Sequence, residues 1–166
     1  MIVLGIDPGT ASTGFGVVSV DGSSLRMLDH GVIVTGARTV PSQRLAEIHR
    51  RVAALIAAHA PDEAAMEDLY IGANPRTVLS VGHARGAVLA ACGLAGLDAA
   101  AYPPAEVKAA VCGFGRAEKS QVQRVVGVML GTDLSDASDH ATDALAVAIC
   151  HGVRCRGRRL AKAAAR

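Results

Sequence analysis

The order of its predicted strands and helices constrains the fold of this 166-residue chain more than any other feature. Three β-type runs come first, at 1–7, 14–20 and 30–35, with glycine-, serine- and aspartate-rich segments between them. Such short connections imply antiparallel pairing. The rest of the chain alternates helical and strand patterns, which predicts further strands that join the sheet in parallel through crossovers.

The later elements complete a mixed sheet flanked by helices. A helix is predicted at 41–59, where apolar residues recur at steps of three and four from Leu45 to Ile56. The following predicted elements are a strand, a helix, a strand and three helices, at 64–69, 75–92, 97–102, 105–111, 119–130 and 136–153. The order β-β-β-α-β-α-β followed by helices is that of an RNase H-like α/β domain with five strands, three antiparallel and the later ones parallel.

Length and composition predict one domain with an aliphatic core. Hydrophobic residues make up 51% of the chain and aromatic residues only 2%, and 166 residues suit a single core. The apolar stretch 86–97 ends at Asp98, short of the roughly 18 residues of a membrane span. The N-terminus lacks the basic start of a signal peptide. We therefore expect a cytoplasmic protein with no membrane partner.

The basic residues and the cysteines carry two further expectations. The segment after His151 holds six basic residues and no acid, which predicts a main domain at 1–153 and a basic tail at 154–166. Such a tail is either disordered or in contact with a polyanion such as nucleic acid. The four cysteines form no CxxC pair, and we interpret them as reduced core thiols rather than as a zinc site.

Acidic residues occur where strands are predicted to end. Asp7 closes the first strand, and Glu67 follows an apolar run in which a buried carboxylate is costly without a partner. A third acidic group begins the last helix. There His140 and Asp143 are three residues apart and Asp139 and Asp143 four apart, so either pair can face one sheet edge. Helical spacing does not choose between Asp139 and His140.

Ligands drawn from distant parts of a chain are typical of a site for hard divalent cations. Mg²⁺ and Mn²⁺ take oxygen donors and leave positions open for water and phosphate. Two such ions about 3.5 to 4 Å apart activate a water and stabilise the leaving oxygen of a phosphodiester. The alternative is that Asp136 and Asp139 are ordinary acids at a helix N-terminus and Asp7 a turn acid. That alternative does not explain Glu67.

Five motifs, in order along roughly residues 1 to 152, resemble the RuvC family of bacterial Holliday junction resolvases. They are Gly5-Ile6-Asp7-Pro8-Gly9-Thr10 with Gly14-Phe15-Gly16, Met66-Glu67-Asp68-Leu69-Tyr70, Gly82-His83-Ala84-Arg85-Gly86, Ala117-Glu118-Lys119-Ser120-Gln121-Val122 and Asp143-Ala144-Leu145-Ala146-Val147-Ala148. The resemblance implies a homodimer that makes paired symmetric nicks in four-way DNA junctions during recombination and DNA repair, leaving 5′-phosphate and 3′-hydroxyl ends. The RuvA and RuvB branch-migration proteins are further implied partners.

The resemblance also implies the catalytic metal ligands. Asp7 and Glu67 fall on the first two, and Asp143 falls on the last. The usual third acid of the family lies three residues before that last aspartate, where this chain has His140. His140 can still bind a metal through an imidazole nitrogen, and Asp139 is the alternative. We expect two divalent cations, Mg²⁺ or Mn²⁺, with Mn²⁺ favoured because imidazole is the softer ligand.

DNA contacts are implied at four further positions. Lys108 and Lys119 correspond to lysines that contact DNA near the scissile phosphate, and Tyr70 to an aromatic residue that stacks on unpaired bases. Arg76 is a candidate phosphate contact, as is Arg85. The alternatives are ordinary surface lysines and arginines, and a tyrosine at the edge of the core.

Two other functions compete with junction cleavage. One is a related nuclease that processes RNA and shares the first aspartate motif, against which the Lys119 motif argues. The other is a non-catalytic junction-binding module, in which His140 marks a decayed site. Retention of all three family acids argues against that module. An ATPase is excluded because the chain has no GxxxxGK[ST] phosphate loop. The glycine- and alanine-rich helix at 75–93 is the candidate dimer surface.

Overall fold

Five strands form one mixed sheet in the computed structural model, which describes residues 1–68 and 75–164, and only the backbone of 75, 76, 156 and 158–164. The strands are β1 (Ile2–Asp7), β2 (Ser12–Asp21), β3 (Ser24–Val34), β4 (Glu63–Glu67) and β5 (Ala99–Tyr102). Their spatial order is β3-β2-β1-β4-β5. The β1–β2 and β2–β3 pairs are antiparallel, and the β1–β4 and β4–β5 pairs are parallel. The predicted mixed sheet is confirmed.

In the described part of the chain, five helices cover the two faces of this sheet. They are α1 (Pro41–His59), α2 (Pro75–Leu94), α3 (Pro104–Cys112), α4 (Lys119–Leu130) and α5 (Asp139–Ala164). One core cluster joins α1 and α2 to the face that carries Leu4 and Ile6. The other joins α3, α4 and α5 to the face that carries Val3. Because side chains alternate along a strand, Asp7 lies on the same face as Val3, towards α5.

Two glycines let α5 lie directly on the sheet. A Cβ atom on Gly5 would lie 2.1 Å from the carbonyl oxygen of Ala144, and one on Gly14 would lie 1.9 Å from that of His140. Any side chain at these positions would push the helix away. The glycine-rich opening of the sequence therefore positions the first turns of α5 beside the end of β1.

The largest differences from the predicted element boundaries are in β3 and α5. Strand β3 begins at Ser24 rather than at residue 30, because Gly22, with a φ of 55°, closes a tight turn in which Asp21 pairs with Ser24. Helix α5 begins at Asp139, so Asp136 precedes it, and it continues through Ala164. Its last part is rich in Arg, Lys, Ala and Leu, which are strong helix formers. The division at residue 153 stays a prediction.

Helix α2 also bears on the predicted absence of a membrane span. By length and composition alone, its segment Thr77–Leu94 could cross a membrane. In the structure Ala84 and Val88 are fully buried in the core cluster that α2 shares with α1. One apolar helix of this kind is weak evidence for a span, since the core helix of a soluble domain passes the same test.

Candidate active site

Asp7 and His140 meet at the edge of the sheet where β1 and β4 end. The Asp7 carboxylate accepts a hydrogen bond from Nδ1–H of His140, with 2.6 Å between Oδ2 and Nδ1. The contact places a hydrogen on Nδ1, so Nε2 is the ring nitrogen that could bind a cation. The Asp139 carboxylate lies instead 3.8 Å from the amine of Lys119 and is largely exposed.

Glu67 ends the strand next to β1 and therefore lies beside Asp7. Burial, together with the negative charges of Asp7 and Asp143, raises the pKa of Glu67 from 4.5 to about 7. Burial makes the largest contribution. The positive charges of Lys119 and Lys108 oppose the shift. Three carboxylates from β1, β4 and α5 are thus close enough to repel one another, a repulsion that a bound cation would relieve.

Lys119 stands at the first position of α4 and faces the same acids. Its Nζ atom donates a hydrogen bond to Oδ2 of Asp143 at 3.3 Å, and the charge of Asp143 raises the pKa of Lys119. The pKa of Asp143 is nevertheless raised, because burial outweighs the attraction of Lys119 and the charge of Asp7 acts in the same direction as burial. The site is therefore rich in acid even with its lysine in place.

A cavity of ≈ 250 Å³ opens between these side chains. Glu67 and Asp143 line one part of it, and Lys108 and Lys119 line another. Carboxylates that attract cations therefore stand next to amines that attract phosphate. Both lysines that the sequence analysis selected lie at this cavity.

Arg85 has a role that the sequence analysis did not predict. Its Nη1 atom donates a hydrogen bond to the backbone carbonyl oxygen of Glu67 at 2.7 Å, and its Nη2 atom lies 3.6 Å from Oδ1 of Asp68. The guanidinium thus fastens the end of β4 to α2 and positions Glu67. No sequence pattern signals this contact, since the two residues are 18 positions apart on different elements.

Two of the predicted DNA-binding side chains lie outside the part of the chain that the structure describes. Tyr70 lies outside the described residues, and only the backbone of Arg76 is described, at the start of α2. The structure does bring Asp7, Glu67, His140 and Asp143 to one edge of the sheet. Three carboxylates and one imidazole form a donor set that suits Mg²⁺ or Mn²⁺. The binding of a metal by these four residues stays a prediction.

Comparison with known proteins identifies the family. The family model for the crossover junction endodeoxyribonuclease RuvC matches residues 3–151. RuvC of Heliobacterium modesticaldum is 45% identical over 162 residues, which cover 94% of this chain and 100% of that protein. RuvC of Moorella thermoacetica is 46% identical over 151 residues, which cover 91% of this chain and 90% of that protein.

Solved structures agree with these relatives. The structure of Thermus thermophilus RuvC superposes with a TM-score of 0.88 at 36% identity, covering 95% of this chain and 96% of that one. The same protein in complex with a Holliday junction substrate gives a TM-score of 0.87 at 34% identity, with the same coverage. The yeast mitochondrial resolvase Ydc2, at 15% identity and a TM-score of 0.67, shares the fold. With this fold, this acidic edge and these relatives, the chain belongs to the RuvC family of crossover junction endodeoxyribonucleases.

Proposed function

We propose that this protein nicks four-way DNA junctions in symmetric pairs, by hydrolysis that depends on divalent metal ions, in recombination and DNA repair. The observation that carries the proposal is the contact between Asp7 and His140 beside Glu67 and Asp143. The chain belongs to the RuvC family, which supports a role for this group in DNA cleavage. The RuvC of Thermus thermophilus, at 34% identity, has been solved in complex with a Holliday junction substrate, which supports the four-way junction as the substrate.

In this proposal Asp7, Glu67, His140 and Asp143 hold two divalent cations. Bound there, the cations supply the activation of a water and the stabilisation of the leaving 3′ oxygen. Asp7 orients the imidazole of His140, and Arg85 holds the backbone at Glu67, so that both donors are set before substrate arrives. The choice of His140 over Asp139 and the preference for Mn²⁺ over Mg²⁺ stay predictions.

Lys119 and Lys108 are proposed to bind the phosphates that flank the scissile bond. Both line the cavity that contains Glu67 and Asp143. An ammonium next to acidic metal ligands offsets part of their charge and lets the phosphate backbone approach. Base stacking on Tyr70 and phosphate binding by Arg76 stay predictions, because those side chains are not described.

A homodimer built through α2 would provide the two sites that two nicks require. A substrate with two-fold symmetry is met most simply by two identical subunits. Helix α2 exposes Leu79 at 62% and Leu89 at 41%. Within the described part of the chain, a Cβ atom on Gly82 or Gly86 would meet nothing within 4 Å. This apolar face with small residues supports close approach of a second copy.

Two more expectations rest on this function. RuvA and RuvB stay predicted partners that follow from the family alone. The cytoplasmic localisation expected from the sequence also stays a prediction, and a DNA substrate agrees with it.

Cleavage of a mobile four-way junction tests the proposal. The wild type should give paired nicks on the junction and leave a linear duplex of the same sequence intact. Asp7→Asn should abolish the nicks and retain binding. His140→Ala should lose cleavage, whereas Asp139→Asn, its matched neighbour, should keep it.

Other outcomes would support the competing functions. A junction that is bound but not cut with any divalent metal would identify a binding module. Equal cleavage of linear DNA or RNA would show that the substrate differs from that of the family. If Asp139→Asn abolishes cleavage and His140→Ala does not, the fourth ligand is Asp139.

A further inference from the structure

A second set of potential metal ligands lies outside the catalytic edge. Among the described residues, Glu63, His151 and Cys155 are the group whose ligand atoms all lie within 4.8 Å of one another. Nε2 of His151 lies 2.8 Å from Oε2 of Glu63 and 3.3 Å from Sγ of Cys155, and Sγ lies 3.8 Å from that carboxylate oxygen. His151 and Cys155 are almost completely buried.

This group is separate from the catalytic residues although it uses the same two elements. Glu63 begins β4 and Glu67 ends it, a separation of about 13 Å along the strand. His151 lies eight residues after Asp143 on α5, about 12 Å along the helix. Strand β4 and helix α5 therefore bring side chains together at two places, the catalytic residues at the end of β4 and this second group at its start.

Tyr102 gives His151 a hydrogen-bond partner on the ring nitrogen that faces away from Glu63. Nδ1 of His151 lies 2.9 Å from the phenol oxygen of Tyr102. Because a carboxylate only accepts, Nε2–H of His151 donates to Glu63 in the metal-free protein. A cation at Nε2 would replace that hydrogen, and Nδ1–H would then donate to the Tyr102 oxygen. Metal-binding histidines usually have such a partner on the other ring nitrogen.

We propose that Glu63, His151 and Cys155 bind one Zn²⁺ ion. Zinc takes thiolate, imidazole and carboxylate together, whereas a thiolate is a poor ligand for Mg²⁺ or Ca²⁺. The donor atoms of a tetrahedral zinc site are about 3.3 to 3.6 Å apart. The observed spacings of 2.8, 3.3 and 3.8 Å therefore need shifts of up to about half an ångström. The Glu63 side chain is 34% exposed, which leaves a route for entry and a fourth position for water.

Such an ion would fasten the start of β4 to the middle of α5. The same two elements carry Glu67 and Asp143 at the catalytic edge, so the ion would brace the position of α5 on the sheet. The sequence analysis dismissed zinc because no two cysteines have CxxC spacing. This site needs only one cysteine, and Glu63 and His151 are 88 residues apart.

Cobalt is the probe that tests the site directly. The full-length protein is reduced, stripped with a chelator and titrated with Co²⁺, which gives a thiolate-to-metal charge-transfer band only when sulfur is a ligand. We expect one equivalent of Co²⁺ to produce the band and one equivalent of Zn²⁺ to remove it. Asp7→Asn should keep the band, because the catalytic edge has no thiol.

Matched cysteine variants show which thiol is involved. Cys155→Ser should lose the band and weaken Zn²⁺ binding at least about 100-fold. Cys92→Ser, at a cysteine that is also buried but packs between α1, α2 and the sheet, should leave both unchanged. Tyr102→Phe should weaken binding about 10-fold or more. Zinc at 100 times its dissociation constant should raise the Tm of the wild type by about 5 °C or more.

Either of two results would overturn the proposal. The first is a folded wild type, judged by circular dichroism, with no charge-transfer band and no zinc-dependent rise in Tm, which would leave a hydrogen-bonded cluster only. The second is an equal rise in Tm for the wild type and Cys155→Ser, which would place the zinc at other ligands.

Discussion

The carboxylate of Asp7 and the imidazole of His140 lie 2.6 Å apart although 133 residues separate them in the chain. The contact joins the first strand to the last helix at the edge of the sheet where Glu67 and Asp143 also lie. It depends on Gly14, since a side chain there would overlap the backbone of His140. This relationship gives the chain a donor set with one imidazole among three carboxylates.

Replacing that imidazole should change the metal preference of the enzyme. The wild type should cleave junctions faster with Mn²⁺ than with Mg²⁺, and His140→Asp should shift the ratio of the two rates towards Mg²⁺, because oxygen donors suit the harder ion. His140→Ala should lower the rate at least about 100-fold with either metal. Rates measured over a full titration of each metal check this, and equal rates in the wild type would contradict a role for His140 as ligand.

Glu67 should make the metal-free protein less stable as the pH rises. Its pKa is 4.5 in the unfolded chain and about 7 in the folded protein, so the folded state binds more protons between these values. The free energy of unfolding therefore falls from about pH 4.5 to pH 7, and the full loss is present above pH 7.

Glu67→Gln should remove the fall in the free energy of unfolding, because glutamine does not ionise. After discounting for partial exposure, the variant should be more stable than the wild type by about 1 to 2 kcal/mol at pH 8 and should match it near pH 4.5. Thermal unfolding in chelator at both pH values measures the difference. Asp136→Asn, a change at an exposed acid before α5, serves as control and should show no such pH dependence.

A methyl group at Gly14 should displace α5 from the sheet. Its Cβ would lie 1.9 Å from the carbonyl oxygen of His140, so Gly14→Ala should destabilise the protein by about 1 to 3 kcal/mol and separate His140 from Asp7. Gly157→Ala, on the same helix with nothing within 4 Å among the described residues, is the control and should be neutral or slightly stabilising. Denaturant unfolding and junction cleavage measure the two effects. Wild-type stability and wild-type cleavage in Gly14→Ala would show that Gly14 is not needed to position α5.

A charge on the exposed face of α2 should break the proposed dimer. Leu79 is 62% exposed, and Leu79→Arg should convert a dimer into monomers in sedimentation experiments. Junction cleavage should lose its paired character, whereas Val128→Arg, at an equally exposed apolar residue of α4, should change neither property. A wild type that is monomeric with and without junction DNA would refute the role of α2.

The sequence alone was enough to predict the order of the elements and the type of sheet, because hydrophobic periodicity and turn residues are local signals. It was less informative for Ser24 to Asp29, which belong to an edge strand with half-exposed side chains and therefore lack a clear apolar pattern. The end of α5 was also missed, since good helix formers extended the helix through a segment whose charge suggested a separate tail.

At the candidate site, Asp7 and Glu67 were predictable because the carboxyl ends of neighbouring parallel strands meet at one edge of a sheet. The choice between Asp139 and His140 was not, because it depends on the rotation of α5 about its axis, which the glycine contacts with β1 and β2 determine. The group of Glu63, His151 and Cys155 was invisible for the same reason. Spacing along the chain determines which residues share one strand or helix, and only packing of β4 against α5 determines which side chains meet across them.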